Sequence, residues 1–402
     1  MSLSDVSRDD SVRPVVLSDA PTWCDSEVAR RAWQIGVEFA APHADDVDRS
    51  ARFPKEAVAE IRASGLLAAM IPTELGGGGA SLAEVATAVR AFAAHCSATA
   101  LVFAMHQIEI WYLVECGHTP ELQDLLRSVA EHGTLIANAN AEVGLGGNIG
   151  QSVCAVERAD GRFHLEKDAL AISYGAHADA IMLTARRAPD AEPTDQVIVA
   201  CRPGSFTLEQ TSTWDTMGLR GTCSCGFRLT VDEDEAMILP VSWAGVANKS
   251  LGASVILLNS AWLGIAESAA ATAHRYVRAS ARRTVGVTPA TAPLLAEMAV
   301  TLTEARSVMA NAVARQAAAH GTDAVDDATL ILALRSLKLS MARLAIEVVA
   351  AASQICGLVG YKRDSPYSLD RHHRDITGAP LMANNLRFLG DNAQLLLVMK
   401  QI

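Results

Sequence analysis

The chain has 402 residues, 50% of them hydrophobic and 20% charged, with a formal net charge of −11 at pH 7. That much apolar material suffices for a large core arranged in two or three layers or domains. The acidic balance excludes a phosphate-tracking nucleic-acid binder, which requires a basic face.

The opening stretch, MSLSDVSRDDSVRPVV, has no basic segment followed by an apolar run, so no secretory signal is expected. The eight cysteines include no CxxC pair, and scattered thiols of this kind suit a reducing cytoplasm. From about Cys24 to Ala137, apolar residues recur every three or four positions, as in EAVAEIRASGLLAAM and SLAEVATAVRAFAAHCSATALVFAMH. This spacing predicts amphipathic or buried helices. The run ELGGGGAS breaks the pattern at Gly76 to Gly79, and it lacks the lysine and the preceding strand of a phosphate-binding loop. It reads as a connection, with Ser81 and Glu84 placed for a capping box on the next helix. From about Leu135 to Val241 the character changes to short β-rich runs, among them DAIMLTARR, QVIVACRP and CGFRLTVDED. Gly, Pro, Asp and Asn separate them, which predicts a β-barrel or sandwich. Cys223 and Cys225 would share one face of a strand, but no second pair completes a zinc site. From about Leu251 to Ile402 the pattern is helical again. LGASVILLNSAWLGIAESAAATA carries Ser, Asn and Glu at helical intervals and reads as a buried helix, not a membrane span. DATLILALRSLKLSMARLAIEVVAAASQIC is apolar on more than one side, which predicts a bundle or a subunit interface.

Six segments occur in order between Gly65 and Pro366: GLLAAMIPTELGGGGASLAEV, NAEVGLGGN, LAISYGAHAD, WDTMGLRGTCS, RRTVG and QICGLVGYKRDSP. Together with the helix–strand–helix order they resemble the acyl-CoA dehydrogenase superfamily, over roughly Ala29 to Val398. The resemblance implies an α+β fold. An N-terminal extension (1–28) would precede an N-terminal helical domain (29–137), a middle β-barrel or sandwich domain (138–245) and a C-terminal four-helix bundle (246–402).

The resemblance also implies FAD. Ala141, Gly144, Gly146 and Gly147 would form the loop at the flavin, where glycines let the backbone approach the ring edge. Ile172 and Ser173 match the strand beside the reactive side of the ring. Arg282 and Thr284 match residues that hold a pyrophosphate, although Arg282 also reads as a helix-end arginine. In the family, the equivalents of Arg282, Gln354 and Gly357 reach the cofactor of a neighbouring subunit, which implies a homotetramer built as a dimer of dimers.

One expected group is missing. Family dehydrogenases remove an α-proton with a carboxylate while a hydride leaves to the flavin. That Glu stands eight residues after an Arg-Asp pair, here Arg374 and Asp375, and the position holds Ala383. In some members it stands ten residues before a Gly, here Gly264, and that position holds Ser254. Ala171 replaces a Trp of the family pattern, and Gly252 and Val255 replace charges that help hold CoA. His106 is the candidate substitute acceptor, with Glu109 as a neighbour; a lone His on an apolar helix also reads as a core residue. His372 and His373 are expected at a surface or interface, and Glu142 in a structural role. No metal site is expected. The first reading is FAD-dependent α,β-desaturation of a small acyl thioester, on CoA or a carrier protein, with a relocated or absent base. The alternatives are a flavin-dependent monooxygenase or oxidase, and a non-catalytic partner subunit. An electron-transfer protein or oxygen would take the electrons.

Overall fold

The computed structural model of the chain describes residues 20–146, 148–283 and 286–400. Among the described residues, six α-helices build the first layer: α1 (Glu27–Ile35), α2 (Ala44–Arg49), α3 (Lys55–Ala63), α4 (Leu82–Ala93), α5 (Ser97–Cys116) and α6 (Pro120–His132). The capping box forms as the sequence predicts, with the Ser81 hydroxyl accepting from the Glu84 amide and the Glu84 carboxylate accepting from the Ser81 amide. Ahead of it the glycine run doubles back on Ile71. A Cβ on Gly77 would lie 2.2 Å from the Ile71 carbonyl oxygen, so only glycine fits that approach. Helix α5 is buried on nearly every side.

The middle layer holds eight strands: β1 (Ile136–Asn138), β2 (Glu157–Ala159), β3 (Arg162–Ala169), β4 (Ala180–Arg186), β5 (Gln196–Cys201), β6 (Phe206–Gln210), β7 (Phe227–Asp234) and β8 (Ile238–Ser242). They form two four-stranded sheets, ordered β1-β4-β5-β8 and β2-β3-β7-β6. Among the described strands, every pairing is antiparallel except the parallel β1–β4 pair. β3 and β7 alternate exposed and buried residues, as expected of strands with one wet face, whereas β4 and β5 are buried on both. Cys223 and Cys225 precede β7 instead of lying in a strand, and Cys223 takes a left-handed backbone with φ 46°.

The last layer comprises α7 (Trp243–Arg283), α8 (Ala292–Ala319), α9 (Ala328–Cys356), α10 (Leu358–Tyr361), α11 (Asp370–Ile376) and α12 (Asn385–Val398). Segments of α7 and α9 are long and apolar enough to cross a membrane by length and composition alone. They pack on each other and on α8, and α4 and α5 cover α7 from the first layer.

Polar contacts lock the layers together. Glu267 on α7 accepts from the Arg90 guanidinium on α4 and, at 2.7 Å, from Arg306 Nε on α8. Asp375 on α11 accepts from the Ser97 hydroxyl at the start of α5 and, at 2.7 Å, from the Leu219 amide of the β6–β7 connection. Burial raises the Asp375 carboxyl above its ordinary range, and these two donors oppose that rise. Arg374 forks onto Asp48 at 2.5 and 2.8 Å and onto Asp370 at 2.8 Å. This seam places the 374–384 turn against both other layers.

Candidate active site

A cavity of about 1160 Å³ opens where the three layers meet. Its walls are one face of α5, the segment after β1, the β6–β7 connection, the N-terminal half of α7, the 374–384 turn, and the facing sides of α9 and α12. Pockets for small molecules and cofactors commonly run from about 300 to 1,000 Å³, so this one has room for a cofactor ring together with a substrate.

The wall contributed by the middle layer suits a flat, polar-edged ring. Ala141, Gly146 and Ser173 line it, as do Asn138 and Asn140. The Ser173 hydroxyl is 2.8 Å from that of Ser224, which is 2.8 Å from that of Thr222, and Thr222 donates to the Leu219 carbonyl at 2.9 Å. A chain of hydroxyls therefore ends at the cavity in Ser173. Trp214 adds a flat apolar face, fixed by its indole N–H donating to the Leu219 carbonyl at 3.1 Å. Gly146 sits at φ 58° with open space where a Cβ would be, which leaves its backbone accessible to a ligand. Small residues, hydroxyls and an aromatic plane around one slot fit a flavin, the group the sequence resemblance implies.

On another wall, both positions at which the family carries its Glu face the cavity, and neither can take up a proton. Ser254 lies on α7 and Ala383 on the turn before α12. Ala383 has φ 52°, a left-handed backbone in a residue with a side chain. The turn is held from beneath by Lys338 of α9, whose ammonium donates to the Ala379 carbonyl at 3.1 Å and to the Asn385 side-chain oxygen. Burial and the neighbouring Arg387 push the Lys338 ammonium down to about 8. Arg335 and Arg387 line the same end, with Asp391 as the nearby carboxylate, 4.0 Å from Arg335.

Helix α5 supplies the remaining wall. Leu101, Met105, Ile108, Glu109 and Tyr112 share one face, at helical spacing. Glu109 is almost fully buried and accepts from the Asn138 side-chain amide at 2.7 Å. Burial raises its carboxyl to about 8, against the smaller opposing effect of that bond. Tyr112, one turn on, reaches Ser250 and Ser254 of α7 with its hydroxyl.

His106 is not part of this wall. It points into the core, where Nε2 meets the Leu67 carbonyl at 2.9 Å and Nδ1 accepts from the Ile136 amide at 3.0 Å. That pairing fixes the neutral tautomer with the proton on Nε2, and burial pushes the ring down to about 4. Both nitrogens are committed, which corrects the expectation that His106 could take a proton from substrate.

The other predicted residues divide into groups. Ile172 is buried behind the cavity, with its amide on the Cys225 carbonyl at 2.9 Å, and Gly144 stands in the loop at φ 87°. Arg282, Gln354 and Gly357 are exposed at the ends of α7 and α9 and do not line this cavity. Gly147 and Thr284 lie outside the described residues. Glu142 is buried and structural, accepting from Ser152 Oγ and the Cys154 amide at 2.8 Å each. His372 is half-buried, 3.0 Å from Ser268 Oγ on α7, whereas His373 is exposed. Gly252 packs on Gln316, and Val255 lines the cavity, so the charges that would hold CoA are replaced by packing. Asn138, Tyr112, Trp214, Arg335, Lys338 and Arg387 also line the cavity, although no sequence motif marks them, and Glu109 has no role by sequence pattern alone.

Comparison with known proteins agrees with this geometry. The acyl-CoA dehydrogenase N-terminal domain matches residues 26–131, and the acyl-CoA dehydrogenase C-terminal domain matches residues 244–383. The chain belongs to the acyl-CoA dehydrogenase superfamily. It is 25% identical to the acryloyl-CoA reductase (NADH) of Anaerotignum propionicum over 87% of each chain. It is 27% identical to the dibenzothiophene monooxygenase of Mycolicibacterium goodii, over 87% of this chain and 88% of that one. FMN-bound TdsC from Paenibacillus sp. A11-2 has the same fold, with a TM-score of 0.82 at 20% identity, covering 92% of this chain and 97% of that one.

Proposed function

We propose that this chain is a flavin-dependent oxidoreductase that uses oxygen to oxidise a small-molecule substrate, as a monooxygenase or oxidase. The observation that carries this reading is the pair Ala383 and Ser254. Both face the cavity, and neither can accept the α-proton whose removal defines acyl-thioester desaturation in the family. The loss of CoA-holding charges at Gly252 and Val255 points the same way, as does the similarity to a dibenzothiophene monooxygenase.

When bound, a flavin supplies a two-electron sink and, once reduced, reactivity toward oxygen. The chain does the rest. Asn138, Asn140 and Ser173 present donors and acceptors around the ring slot, and Trp214 covers an apolar face. The walls from α5 and α7 limit the access of water. In a net hydroxylation, one oxygen atom enters a substrate X–H bond and the other leaves as water, with two electrons from an external reductant. FAD is the cofactor the resemblance implies, and FMN fits the same slot by analogy with TdsC. Arg282, Gln354 and Gly357, exposed on this chain, would complete the cofactor site of a neighbouring copy.

A second reading remains tied to one observation. Glu109 is a buried carboxyl that still faces the cavity. In acyl-thioester desaturation it would be the relocated base. The two readings part under anaerobic conditions. With the flavin-loaded protein, oxygen-using oxidation predicts no bleaching of the flavin by butyryl-CoA, and oxygen consumption only once the flavin is reduced, by an external reductant for a monooxygenase or by the substrate itself for an oxidase. Rapid anaerobic bleaching by butyryl-CoA would instead establish desaturation. Failure to retain any flavin would remove both readings and leave a non-catalytic partner subunit.

A further inference from the structure

We propose that the substrate carries a protonated amine and that Glu109 is its counter-ion in the cavity. This inference rests on the reading of the cavity as the substrate site, but not on which oxidation occurs there.

Neutral groups surround Glu109. From α5 itself come His106, neutral with both nitrogens committed, and Tyr112, whose hydroxyl turns to α7. From β1 comes Asn138, a neutral donor. From the segment between β3 and β4 comes Tyr174, whose hydroxyl donates to the Ile136 carbonyl at 2.9 Å. From α7 come Ser250 and Ser254, reached through Tyr112. Among the described residues no Lys or Arg pairs with Glu109, and burial and the Asn138 bond are what set its ionisation. A buried carboxylate without a cation is costly, so in the empty cavity Glu109 holds its proton near neutral pH.

A carboxyl with one donor and an open cavity beside it is completed by a ligand that brings the missing cation. An ammonium there would gain a charge-assisted bond and drive Glu109 to ionise. The rest of the cavity agrees in sign. Arg335, Lys338 and Arg387 line the α9–α12 end with, among the described residues, only Asp391 against them, and α7 packs between that end and α5. The cavity is thus acidic on its α5 wall and basic on its α9–α12 wall. An amine placed at the basic end would be repelled, so the polarity also orients the ligand.

The test uses the flavin-loaded full chain and two probes of nearly equal shape, benzylamine, which is protonated near neutral pH, and benzyl alcohol, which is not. Calorimetric titration is run in buffers of differing ionisation heat. The expected result is that benzylamine binds about ten- to a hundredfold tighter than benzyl alcohol, the scale of a charge-assisted bond. It should release about one proton per site as Glu109 ionises. Glu109→Gln, which keeps the shape of the neutral acid, should abolish both the preference and the proton release. Glu109→Asp should restore the preference in part. Equal binding of the two probes, no binding of benzylamine, or a preference that survives Glu109→Gln would overturn the proposal. Retention of flavin by each variant controls for folding. Because the readout is binding and proton release, its failure leaves the oxygen-against-desaturation test of the preceding section untouched, and the reverse also holds.

Discussion

Glu109 and His106 lie one turn apart on α5 and respond to pH with opposite sign. Burial raises Glu109 from an ordinary 4.5 to about 8. The folded protein then holds a proton that the unfolded chain has released, so the contribution from this group is present below about 4.5 and is lost as pH rises toward about 8. His106 is held down, from 6.5 to about 4, so its contribution is present above 6.5 and is lost as pH falls toward about 4. Replacing Glu109 by Gln removes only the first effect. We expect the melting temperature of Glu109→Gln to pull ahead of the parent as pH rises from about 4.5 to about 8 and to keep a constant lead above that. Scanning calorimetry across that window checks this. A lead that does not grow with pH would mean that Glu109 is ionised in the empty cavity. The sequence shows Glu109 beside His106 but hides its role for a physical reason. Helix α5 is buried on nearly every side, so no apolar stripe distinguishes the face toward the cavity from the faces toward the core.

At the scale of elements, the 374–384 turn and the β6–β7 connection behave as one interlocked unit. A Cβ on Gly218 would lie 2.2 Å from the Arg374 carbonyl oxygen, in backbone that cannot move without releasing the Asp375 bond to Leu219. Gly218→Ala should therefore cost about 1–3 kcal/mol, as overpacking does, and weaken flavin uptake by shifting the Ser173–Ser224–Thr222 side of the slot. Gly390 gives the contrast, since it lies within α12 with nothing within 4 Å of an added Cβ. Gly390→Ala should stabilise by about 0.5–1 kcal/mol through helix propensity alone. Urea unfolding of the two variants decides between these signs, and a tolerated Gly218→Ala would refute the interlock. Much of this scale was legible beforehand. The capping box at Ser81, the change to strands near Leu135 and the return to helices all follow from local pattern. The basic end of the cavity was not legible, because Arg335 and Lys338 meet Arg387 from a helix about fifty residues earlier in the chain, and local spacing carries no trace of that meeting.

At the scale of the whole molecule, the bundle leaves several large apolar side chains uncovered. Leu386, Leu397 and Val398 of α12 and Leu358 and Tyr361 of α10 are more than two-thirds exposed. Large apolar side chains left this exposed on two helices are unusual for a monomer. Arg282, Gln354 and Gly357 stand exposed at helix ends away from the chain's own cavity, where the family resemblance has them serving a neighbour. We expect the protein to self-associate through α10 and α12. Leu397→Glu combined with Val398→Glu should lower its mass in light scattering and loosen flavin binding at the same time. A monomeric parent, or a dissociated variant that binds flavin as tightly as the parent, would break this link between assembly and cofactor.

The left-handed backbone at Ala383 has a consequence for how this chain relates to its relatives. Any residue with a Cβ bears about 1–2 kcal/mol of strain at that torsion, and alanine already bears it. Glutamate there would add little backbone penalty beyond what alanine already bears. The main chain at this turn therefore does not stand between this protein and a carboxylate at position 383, and the differences that remain are side chains: Ala383 itself, Ser254, and the uncharged Gly252 and Val255.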